Sequence, residues 1–361
     1  MRPVSETEVS EALRDARGAL CIRGGGTRGF AVAGELLETS GLVGVRLYEP
    51  GALTLVVGAG TSVAEVEGVL AAEGQRLAFE VPDMRAVLGR VGVSTTGGVV
   101  ATNASGPRRI QVGACRDSLL GVRFVDGRGV VIQNGGRVMK NVTGYDLVKL
   151  LAGSHGTLGV LTEVSLKVQA IPEAEATLLV SGDASVLTRA LASPYDVSGA
   201  AWDGRALVRV EGMAGSVAYR AQALQALLGG DVVTGDESAV IWAGIRDVAA
   251  FAGQAGAVWR VSVKPTDGPV LVTRLGMDHK ALLDWGGGLV WLLVDDAGDA
   301  GAALIRRLVR QMGGHATLLR GPAHLPAFMP EPAGVAKLTQ ALRAKFDPRG
   351  ILNAGLMGAM A

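Results

Sequence analysis

The apolar residues of this chain recur with two periods, one near 3.6 residues and one of two residues, which are typical of helices and strands. Residues 5–18 predict a first helix, because Ser5 is suited to cap its amino end and Val9 and Leu13 fall on one face. Residues 161–168 alternate apolar and polar side chains, which predicts a half-buried strand. Further elements are predicted as strands over 53–60 and 206–210, helices over 62–73, 216–228 and 298–312, and a hairpin over 119–134 that turns at 126–129.

The order of these elements predicts an α+β fold with two domains and a returning carboxyl-terminal segment. Residues 1–172 form the first predicted domain, which Pro172 closes. Residues 173–325 form a smaller cap domain, whose strands and helices predict a mixed sheet with helices on one face. Residues 326–361 begin in a Pro-rich linker, and their helix over 334–345 is expected to pack back on the first domain. A length of 361 residues is enough for each domain to have its own core.

Composition excludes several classes of protein. Hydrophobic residues make up 48% of the chain and charged residues 19%, which is too apolar for a disordered tail. The formal net charge is +1 without a block of like charges, so we expect neither a nucleic-acid footprint nor a polybasic membrane anchor. No apolar run approaches the length of about 18 residues that a membrane span requires, and no signal-peptide core is present. We therefore expect a cytoplasmic location.

Metal-binding patterns are missing from the sequence. The two cysteines, Cys21 and Cys115, are too few to hold an iron–sulfur cluster. The four histidines show no metal-ligand spacing. We expect no metal site in this chain, and any iron–sulfur centre that works with it must belong to a partner.

Three glycine-rich segments carry the candidate chemistry. The first, residues 22–29, follows an apolar lead-in, and consecutive backbone N–H groups in such a turn form a concave anion site. The second covers residues 93–106 and is followed by Gly113–Asp117. The third pairs a Gly-Tyr-Asp turn within residues 140–147 with a second glycine turn over 153–160. Glycine at such positions lets the bare backbone come close to a large ligand.

A fourth glycine turn, at residues 58–60, looks like the start of a nicotinamide-dinucleotide fold. Its third glycine position holds Val63, and no acidic residue follows at the end of a second strand. A tight turn between a strand and a helix is the favoured interpretation.

The three segments, in this order, resemble the FAD-binding domain shared by vanillyl-alcohol oxidase, p-cresol methylhydroxylase and the FAD-linked 2-hydroxyacid oxidases. Residues 346–357 resemble the closing motif of the same oxidases, with Ala354 where proline is usual. Four further segments narrow the resemblance to the family of smaller, FAD-binding subunits of glycolate oxidase. They are residues 105–109, 138–141, 284–291 and 314–320.

This resemblance implies a fold, a cofactor and a set of binding residues. The fold would be a two-subdomain p-cresol-methylhydroxylase-type FAD-binding domain with a smaller α+β cap and a carboxyl-terminal return. The cofactor would be non-covalent FAD, because the first glycine turn has no histidine for attachment. The implied FAD-binding residues are Arg23, Gly24, Gly25, Gly26, Thr27, Arg28, Gly29, Thr95, Thr96, Gly97, Gly98, Ala101, Gly106, Gly113, Asp117, Gly144, Tyr145, Asp146, Gly156, Thr157, Gly159 and Val160.

The same resemblance implies a reaction on a small 2-hydroxy acid. A cationic side chain would hold the carboxylate, and a base would take the hydroxyl proton while hydride passes from Cα to the flavin. The candidate catalytic residues are His279, His315, Arg274 and Arg320. His155 is interpreted as a bystander near the flavin. The carboxyl-terminal histidine motif of the family's catalytic subunits is missing here.

The first function hypothesis is therefore an FAD-binding subunit of a glycolate oxidase complex. Its partners would be the larger catalytic flavin subunit and the iron–sulfur subunit, with peripheral membrane association only through them. Trp285 and Trp291 are the predicted contacts with a partner. The alternatives are a stand-alone FAD-linked dehydrogenase for D-lactate-like 2-hydroxy acids and a non-catalytic assembly subunit.

Overall fold

Two antiparallel sheets, one in each domain, dominate the computed structural model, which describes residues 1–28, 30, 32–136 and 144–358. The helices of the first domain are α1 (Glu6–Asp15), α2 (Val63–Ala71), α3 (Arg85–Leu88), α4 (Thr96–Ala101), α5 (Arg109–Val112), α6 (Cys115–Ser118) and α7 (Leu147–Leu151). Its strands are β1 (Leu20–Arg23), β2 (Glu35–Glu38), β3 (Val45–Glu49), β4 (Thr54–Gly58), β5 (Gln75–Leu77), β6 (Leu119–Val125), β7 (Val131–Gly135) and β8 (Val160–Ala170).

The cap domain follows the first domain along the chain. Its strands are β9 (Ala174–Val180), β10 (Gly199–Trp202), β11 (Ala206–Gly212), β12 (Asp231–Thr234), β13 (Ala257–Ser262), β14 (His279–Asp284), β15 (Leu289–Val294) and β16 (His315–Arg320). Its helices are α8 (Ser185–Leu191), α9 (Ala214–Leu228), α10 (Gly235–Arg246), α11 (Asp267–Arg274) and α12 (Ala302–Gln311), and α13 (Ala333–Phe346) comes after them. The domain limits at residues 172 and 325 stay predictions.

Strand β8 lies at the centre of the first sheet, whose order is β3-β4-β8-β6-β7, with β5 also paired to β8. The predicted half-buried strand is confirmed, since its apolar residues are buried and Glu163 and Lys167 are partly exposed, although Thr162 and Ser165 are buried as well. Helix α1 reaches the start of this strand, where Thr162 Oγ1 donates a hydrogen bond to Glu6 Oε1 at 2.7 Å. Helix α1 starts after Ser5, as predicted, and the Ser5 side chain accepts a hydrogen bond from the Glu8 amide.

The carboxyl-terminal segment returns to the first domain. Strands β1 and β2 form a small parallel pair, and Leu20 also pairs with Leu352. The Leu20 amide donates to the Ile351 carbonyl at 2.7 Å, and the Asn353 amide donates to the Leu20 carbonyl at 3.1 Å. Residues 351–353 therefore act as a third strand beside the start of the chain.

The cap sheet has the strand order β12-β9-β11-β10-β14-β15-β13-β16. The predicted mixed sheet is not found, since every pairing of this sheet in the described part of the chain is antiparallel. Helices also cover both faces rather than one. Ala206, Val208 and Val210 pack with α8 and α9, whereas Leu207 packs with Trp242 of α10 on the opposite face.

The face of the cap sheet that carries α10 packs against the first domain. Met84 and Val87 of the first domain share an apolar cluster with Trp291 of the cap sheet. Beside this cluster lies a buried ionic network of three arginines and three glutamates from both domains, with N–O separations of 2.8–3.9 Å. Its members are Arg76, Glu80, Arg108, Glu175, Arg209 and Glu211.

The two tryptophans predicted to contact a partner subunit are instead buried within this chain. Trp285 is 7% exposed and Trp291 is 5% exposed. The indole Nε1 of Trp285 donates to the Gly106 carbonyl at 3.0 Å, which joins the cap to the first domain. Their large apolar surfaces are therefore already used in the contact between the two domains.

None of the described helices is both long enough and apolar enough to cross a membrane.

Candidate functional site

A cleft of about 360 Å³ opens in the first domain where all three glycine-rich segments meet. It lies between the turn after β1, the loop and helix at 95–102, and the turn at 154–159. The lining residues are Cys21, Ile22, Arg23, Gly24, Gly25, Gly26, Thr27, Arg28, Phe30, Val32, Thr39, Arg90, Thr95, Gly97, Gly98, Ala101, Thr102, Ser154, His155, Gly156, Gly159, Leu161, Asn353 and Leu356. Segments that are far apart in sequence thus form one concave surface.

The first glycine turn is interlocked with the loop before α4. A Cβ on Gly25 would lie 1.5 Å from the Val93 carbonyl oxygen, and a Cβ on Gly24 would lie 2.4 Å from Thr95 Oγ1. Gly26 has φ +74°, and the space around it is open, since the atom nearest to an ideal Cβ at this position is 3.9 Å away. Gly25 is therefore required by the packing of two loops, while Gly26 leaves its backbone facing the cleft.

The second segment supplies the wall opposite this turn. Thr95 caps helix α4, because its hydroxyl oxygen accepts a hydrogen bond from the Gly98 amide at 3.3 Å. Gly97 packs on Ala59, where a Cβ would come within 2.8 Å of the alanine Cβ. Gly98 has a freer position, since its Cβ would meet only Thr95 Oγ1 at 3.1 Å. A side chain at residue 98 would occupy the cleft itself.

The charged side chains in the described lining of the cleft are all positive. Arg23, Arg28 and Arg90 line it, and none of its described lining residues is acidic. Arg28 is tied inward, because its guanidinium donates to the Pro82 carbonyl and to the Ser94 hydroxyl. Burial lowers the pKa of Arg28 to about 10, so the side chain keeps its charge at neutral pH. Arg23 and Arg90 are exposed, so the mouth of the cleft is also positive.

These features fit FAD. A flavin dinucleotide carries a negatively charged pyrophosphate, which backbone N–H groups in glycine turns and nearby arginines stabilise. The missing Cβ atoms at Gly26 and Gly98 leave space for close contact with the backbone. The residues that would hold the cofactor are therefore those of the first two glycine segments.

His155 is a lining residue of the cleft from the third glycine segment. It has φ +52°, a conformation uncommon outside glycine, and its ring lies 5.1 Å from Phe328 and 5.8 Å from Phe30 between ring centroids. Burial, with the positive charge of Arg260, lowers the pKa of His155 to about 4. The imidazole is therefore neutral at physiological pH.

Asn353 is a site residue that the sequence analysis did not select. Its Oδ1 accepts a hydrogen bond from the Ile22 amide at 2.7 Å, and its Nδ2 donates to the His155 carbonyl at 2.8 Å. The closing motif Leu352-Asn353 was the available signal, although no local pattern shows which turn it contacts. The carboxyl-terminal return therefore joins the first and third glycine segments.

Several residues predicted to bind FAD lie outside the lining of the cleft because their polar groups have partners within the fold. The Thr96 hydroxyl donates to the Gly58 carbonyl at 3.0 Å, and the Thr157 hydroxyl donates to the Ser154 carbonyl at 2.8 Å. Val160 is fully buried in an apolar cluster. The Asp117 carboxylate accepts from the Ala114 amide at 2.8 Å and lies against Gly113.

The remaining predicted residues lie still further from the cleft. Gly106 is at the contact between the domains, against Glu80. Tyr145 is 89% exposed, and Asp146 caps α7 by accepting from the Lys149 amide at 3.1 Å. Gly144, with φ +78°, has open space around it. Gly29 and the motif at 138–141 fall outside the described residues.

The four catalytic candidates do not converge. His279 on β14 and Arg320 on β16 are separated by two strands, a distance of roughly 14 Å. Arg320 is held by the Gly256 and Gln254 carbonyls at 2.9 and 2.6 Å, and His279 Nδ1 contacts the Met277 carbonyl at 2.8 Å. Arg274 is exposed at the end of α11.

His315 stands apart from the other three candidates. It begins β16 at the opposite end of the sheet, about five residues along the strand from the level of His279. Burial, together with the positive charges of Arg260 and Arg109, lowers the pKa of His315. His315 is thus the candidate on which a charge from each domain acts, that of Arg109 from the first domain and that of Arg260 from the cap.

No group of three or more His, Cys, Asp or Glu side chains suited to a metal ion occurs among the residues that the structure describes.

The sequence of this chain is similar to those of known FAD-binding proteins. Residues 1–135 match the family model of the FAD binding domain. The chain is 35% identical to glycolate oxidase subunit GlcE of Escherichia coli (strain K12), over 98% of this chain and 96% of that protein. It is 42% identical to glycolate oxidase subunit GlcD of Bacillus subtilis (strain 168) over 87 residues, which are 24% of this chain and 18% of that protein.

The fold is also found in a solved structure. The crystal structure of p-cresol methylhydroxylase with substrate bound matches 99% of this chain and 88% of its own, with a TM-score of 0.73 at 13% identity. The predicted α+β fold with an FAD-binding domain of this type is confirmed.

Proposed function

Because the chain belongs to the family of glycolate oxidase subunit GlcE, we propose that it is an FAD-binding subunit of a glycolate oxidase complex. The observation that carries this function is the cleft between two interlocked glycine segments, which is lined by three arginines and by no acidic residue among those described. Its first 135 residues are an FAD binding domain, and the cofactor is FAD. The cytoplasm is the proposed location.

In the proposed reaction the cofactor supplies the redox chemistry, and this chain binds the cofactor. A bound FAD would supply the acceptor for the hydride that leaves Cα of glycolate as the hydroxyl proton is lost and glyoxylate forms. Residues 24–28 and 95–98 of this chain would hold the pyrophosphate. His155 adds a neutral imidazole to the wall of the cleft. The two phenylalanines around His155 limit the access of water to that part of the cleft.

The proposed partners are a larger catalytic flavin subunit and an iron–sulfur subunit. Electrons would leave the flavin for an iron–sulfur cluster, which usually needs four cysteine thiolates. This chain has two cysteines, and burial raises the pKa of the Cys115 thiol, which disfavours the thiolate. The cluster is therefore assigned to the partner.

A second candidate function is a stand-alone FAD-linked 2-hydroxyacid dehydrogenase. One observation favours it: His315, Arg109 and Arg260 lie close enough for both arginines to lower the pKa of the histidine. Such a grouping of charged side chains at the contact between the two domains would suit a substrate carboxylate.

The test compares the isolated chain with the reconstituted complex. FAD content is measured by absorbance, and glycolate oxidation is measured by dye reduction. We expect the isolated chain to bind FAD and to reduce it slowly with glycolate, and we expect turnover with both partners present. Acid precipitation should release the FAD, since the link is proposed to be non-covalent. Rapid anaerobic reduction by glycolate in the isolated chain would favour the stand-alone enzyme.

The FAD site is tested with a matched pair of glycine variants. Gly98→Val places a branched side chain in the cleft and should remove most of the bound FAD. Gly68→Val makes the same change on helix α2, where no atom lies within 4 Å of the added Cβ, and should keep its FAD. Full FAD occupancy in a folded Gly98→Val protein would contradict the assignment. If the complete complex still oxidises glycolate at the wild-type rate when this chain has lost its FAD, the chain is an assembly subunit.

A further inference from the structure

Two arginines from different domains meet at one tryptophan of the cap. Arg109 comes from α5 in the first domain, and its Cζ lies 4.2 Å from the centroid of the Trp285 ring. Arg260 comes from β13 in the cap, and its Cζ lies 5.2 Å from the same centroid. Both guanidinium groups thus contact the same aromatic ring. We call Arg109, Arg260 and Trp285 the arginine pair site.

Neither arginine has a protein acceptor in the part of the chain that the structure describes. Within the described residues, Arg109 and Arg260 form no ion pair, and neither side chain donates a hydrogen bond. Both side chains are only partly exposed. A guanidinium group presents five N–H donors, and leaving them without acceptors in a partly buried place costs free energy. The free donors indicate a place for an anion.

Trp285 is fixed from both sides. It adopts φ +53°, which is strained for a bulky residue, and its amide donates to Asp284 Oδ1 at 2.6 Å. Its indole Nε1 donates to the Gly106 carbonyl at 3.0 Å. A strained residue held by two hydrogen bonds from different domains gives the arginines a rigid support.

The buried carboxyl group of Asp284 does not neutralise Arg260, whereas the carboxylate that acts on Arg109 is that of Asp117. Asp284 is 2% exposed, and burial raises its pKa to about 8, so it is mainly protonated at neutral pH. Burial and the charge of Arg109 lower the pKa of Arg260 to about 10, which still leaves it cationic. Two positive charges therefore remain at the site.

We propose that Arg109 and Arg260, which both contact Trp285, together bind the carboxylate of a small 2-hydroxy or 2-oxo acid. The planar fork of arginine matches a carboxylate, and two forks can also reach the oxygen on the neighbouring carbon. This inference rests on the proposed function for the identity of the acid, but the anion site itself stands on the geometry. The charge of Arg260 also acts on His155, which lines the flavin cleft.

The test measures the binding of oxalate, a two-carbon carboxylate that the reaction cannot oxidise, to the FAD-loaded chain. Isothermal titration at fixed ionic strength gives the affinity, because exposed charges are screened by salt. Arg260→Gln and Arg109→Gln should each weaken oxalate binding by about tenfold to a hundredfold, as charge-assisted hydrogen bonds are lost. Arg260→Lys should recover part of the affinity, because it keeps the charge without the fork.

A control variant separates this site from general charge effects. Arg310→Gln removes an exposed arginine on α12 of the same domain and should leave the oxalate affinity unchanged. FAD content and the melting temperature identify variants that fail to fold, in which case Arg260→Lys and Arg109→Gln carry the test. Oxalate binding that is undetectable in the wild-type chain, or equal in wild type and both Gln variants, overturns the inference.

Activity of the complete complex distinguishes this inference from the proposed function. An unchanged KM for glycolate in complexes containing Arg260→Gln and Arg109→Gln would overturn the substrate assignment and leave the proposed function intact. A wild-type complex that does not oxidise glycolate, but whose oxalate affinity depends on both arginines, would overturn the proposed function and support the anion site. A raised KM with unchanged FAD content supports both.

Discussion

The contact between the two domains has two halves that use arginine differently. In the buried ionic network, Arg209 contacts Glu80 at 2.8 Å and Glu211 at 3.4 Å, and its side chain is 1% exposed. In the arginine pair site, Arg109 and Arg260 contact an aromatic ring and have no carboxylate partner among the described residues. The same residue type thus joins the domains in one half and leaves donors for a ligand in the other.

The pKa shifts of the two halves run in opposite directions. Burial alone would lower the pKa of Arg209, but the carboxylates of Glu80 and Glu211 raise it above its ordinary value. In the other half, burial and the neighbouring Arg109 lower the pKa of Arg260. Arginine burial therefore indicates structure or function only when its partners are known.

The largest expected effect is the loss of one arginine from the ionic network. Arg209→Met leaves Glu80 and Glu211 buried with fewer positive partners, and should lower the free energy of unfolding by about 3–5 kcal/mol. Urea unfolding followed by tryptophan fluorescence measures this change. Arg310→Met, an exposed control on α12, should stay within about 0.5 kcal/mol of wild type. A loss below about 1 kcal/mol in Arg209→Met would show that the network contributes little.

The pH dependence of stability should separate the two halves by sign. Asp284 has a folded-state pKa near 8, above its ordinary value of 3.8, so the folded chain keeps a proton that the unfolded chain has lost. This contribution is complete below the unfolded pKa and is lost as the pH rises through 8, with a slope of at most about 1.4 kcal/mol per pH unit. Asp284→Asn should flatten the fall in melting temperature between about pH 6 and pH 9.

Glu211 provides the opposite case within the same measurement. Burial alone would raise its pKa, but Arg209 and Arg108 hold it well below the ordinary 4.5. Its contribution is present above the unfolded pKa and is lost as the pH falls, so Glu211→Gln should reduce the loss of stability on acidification. An Asp284→Asn profile that parallels wild type above pH 6 would refute the predicted buried protonation.

The smallest effect is expected for the arginine pair site in the absence of a ligand. Arg260→Met removes a charge that lacks an acceptor among the described residues, and should change the free energy of unfolding by no more than about 1 kcal/mol in either direction. Oxalate should stabilise the wild-type chain and leave this variant unaffected. If Arg260→Met lowered the free energy of unfolding as much as Arg209→Met, the arginine pair site would not differ from the ionic network in its contribution to stability.

Much of the fold could be predicted because local signals agree with the final contacts. Helix α1 begins at its Ser5 cap, and the hairpin of β6 and β7 turns at Asp126–Gly129, as the sequence indicates. The errors arise from contacts that are distant in sequence. In β8 the polar residues Thr162 and Ser165 are buried, and the contact of Thr162 with Glu6 of α1 is not visible in the local pattern. The helices on both faces of the cap sheet depend on the packing of α10 against the first domain, which no local period reveals.

The site divides in the same way. The glycine turns at 24–28 and 97–98 line the cleft, because glycine marks places where backbones approach closely. Residues such as Thr96 and Thr157 look equally suitable in sequence, yet their hydroxyls are taken up by backbone carbonyls. The arginine pair site was not predicted at all, because Arg109 and Arg260 are distant in sequence and only the domain contact brings them to one ring.

The contact of Asn353 with residues 22 and 155 has a consequence for biosynthesis. The first glycine turn leaves the ribosome more than three hundred residues before the side chain that fixes it, since Ile22 and Asn353 are 331 positions apart. The growing chain can form the sheet of its first domain early, but the turn that faces the cofactor stays without its final support. The flavin should therefore bind late in synthesis, after residue 353 has emerged from the ribosome. A chain that has bound flavin is then one that has been translated at least to residue 353.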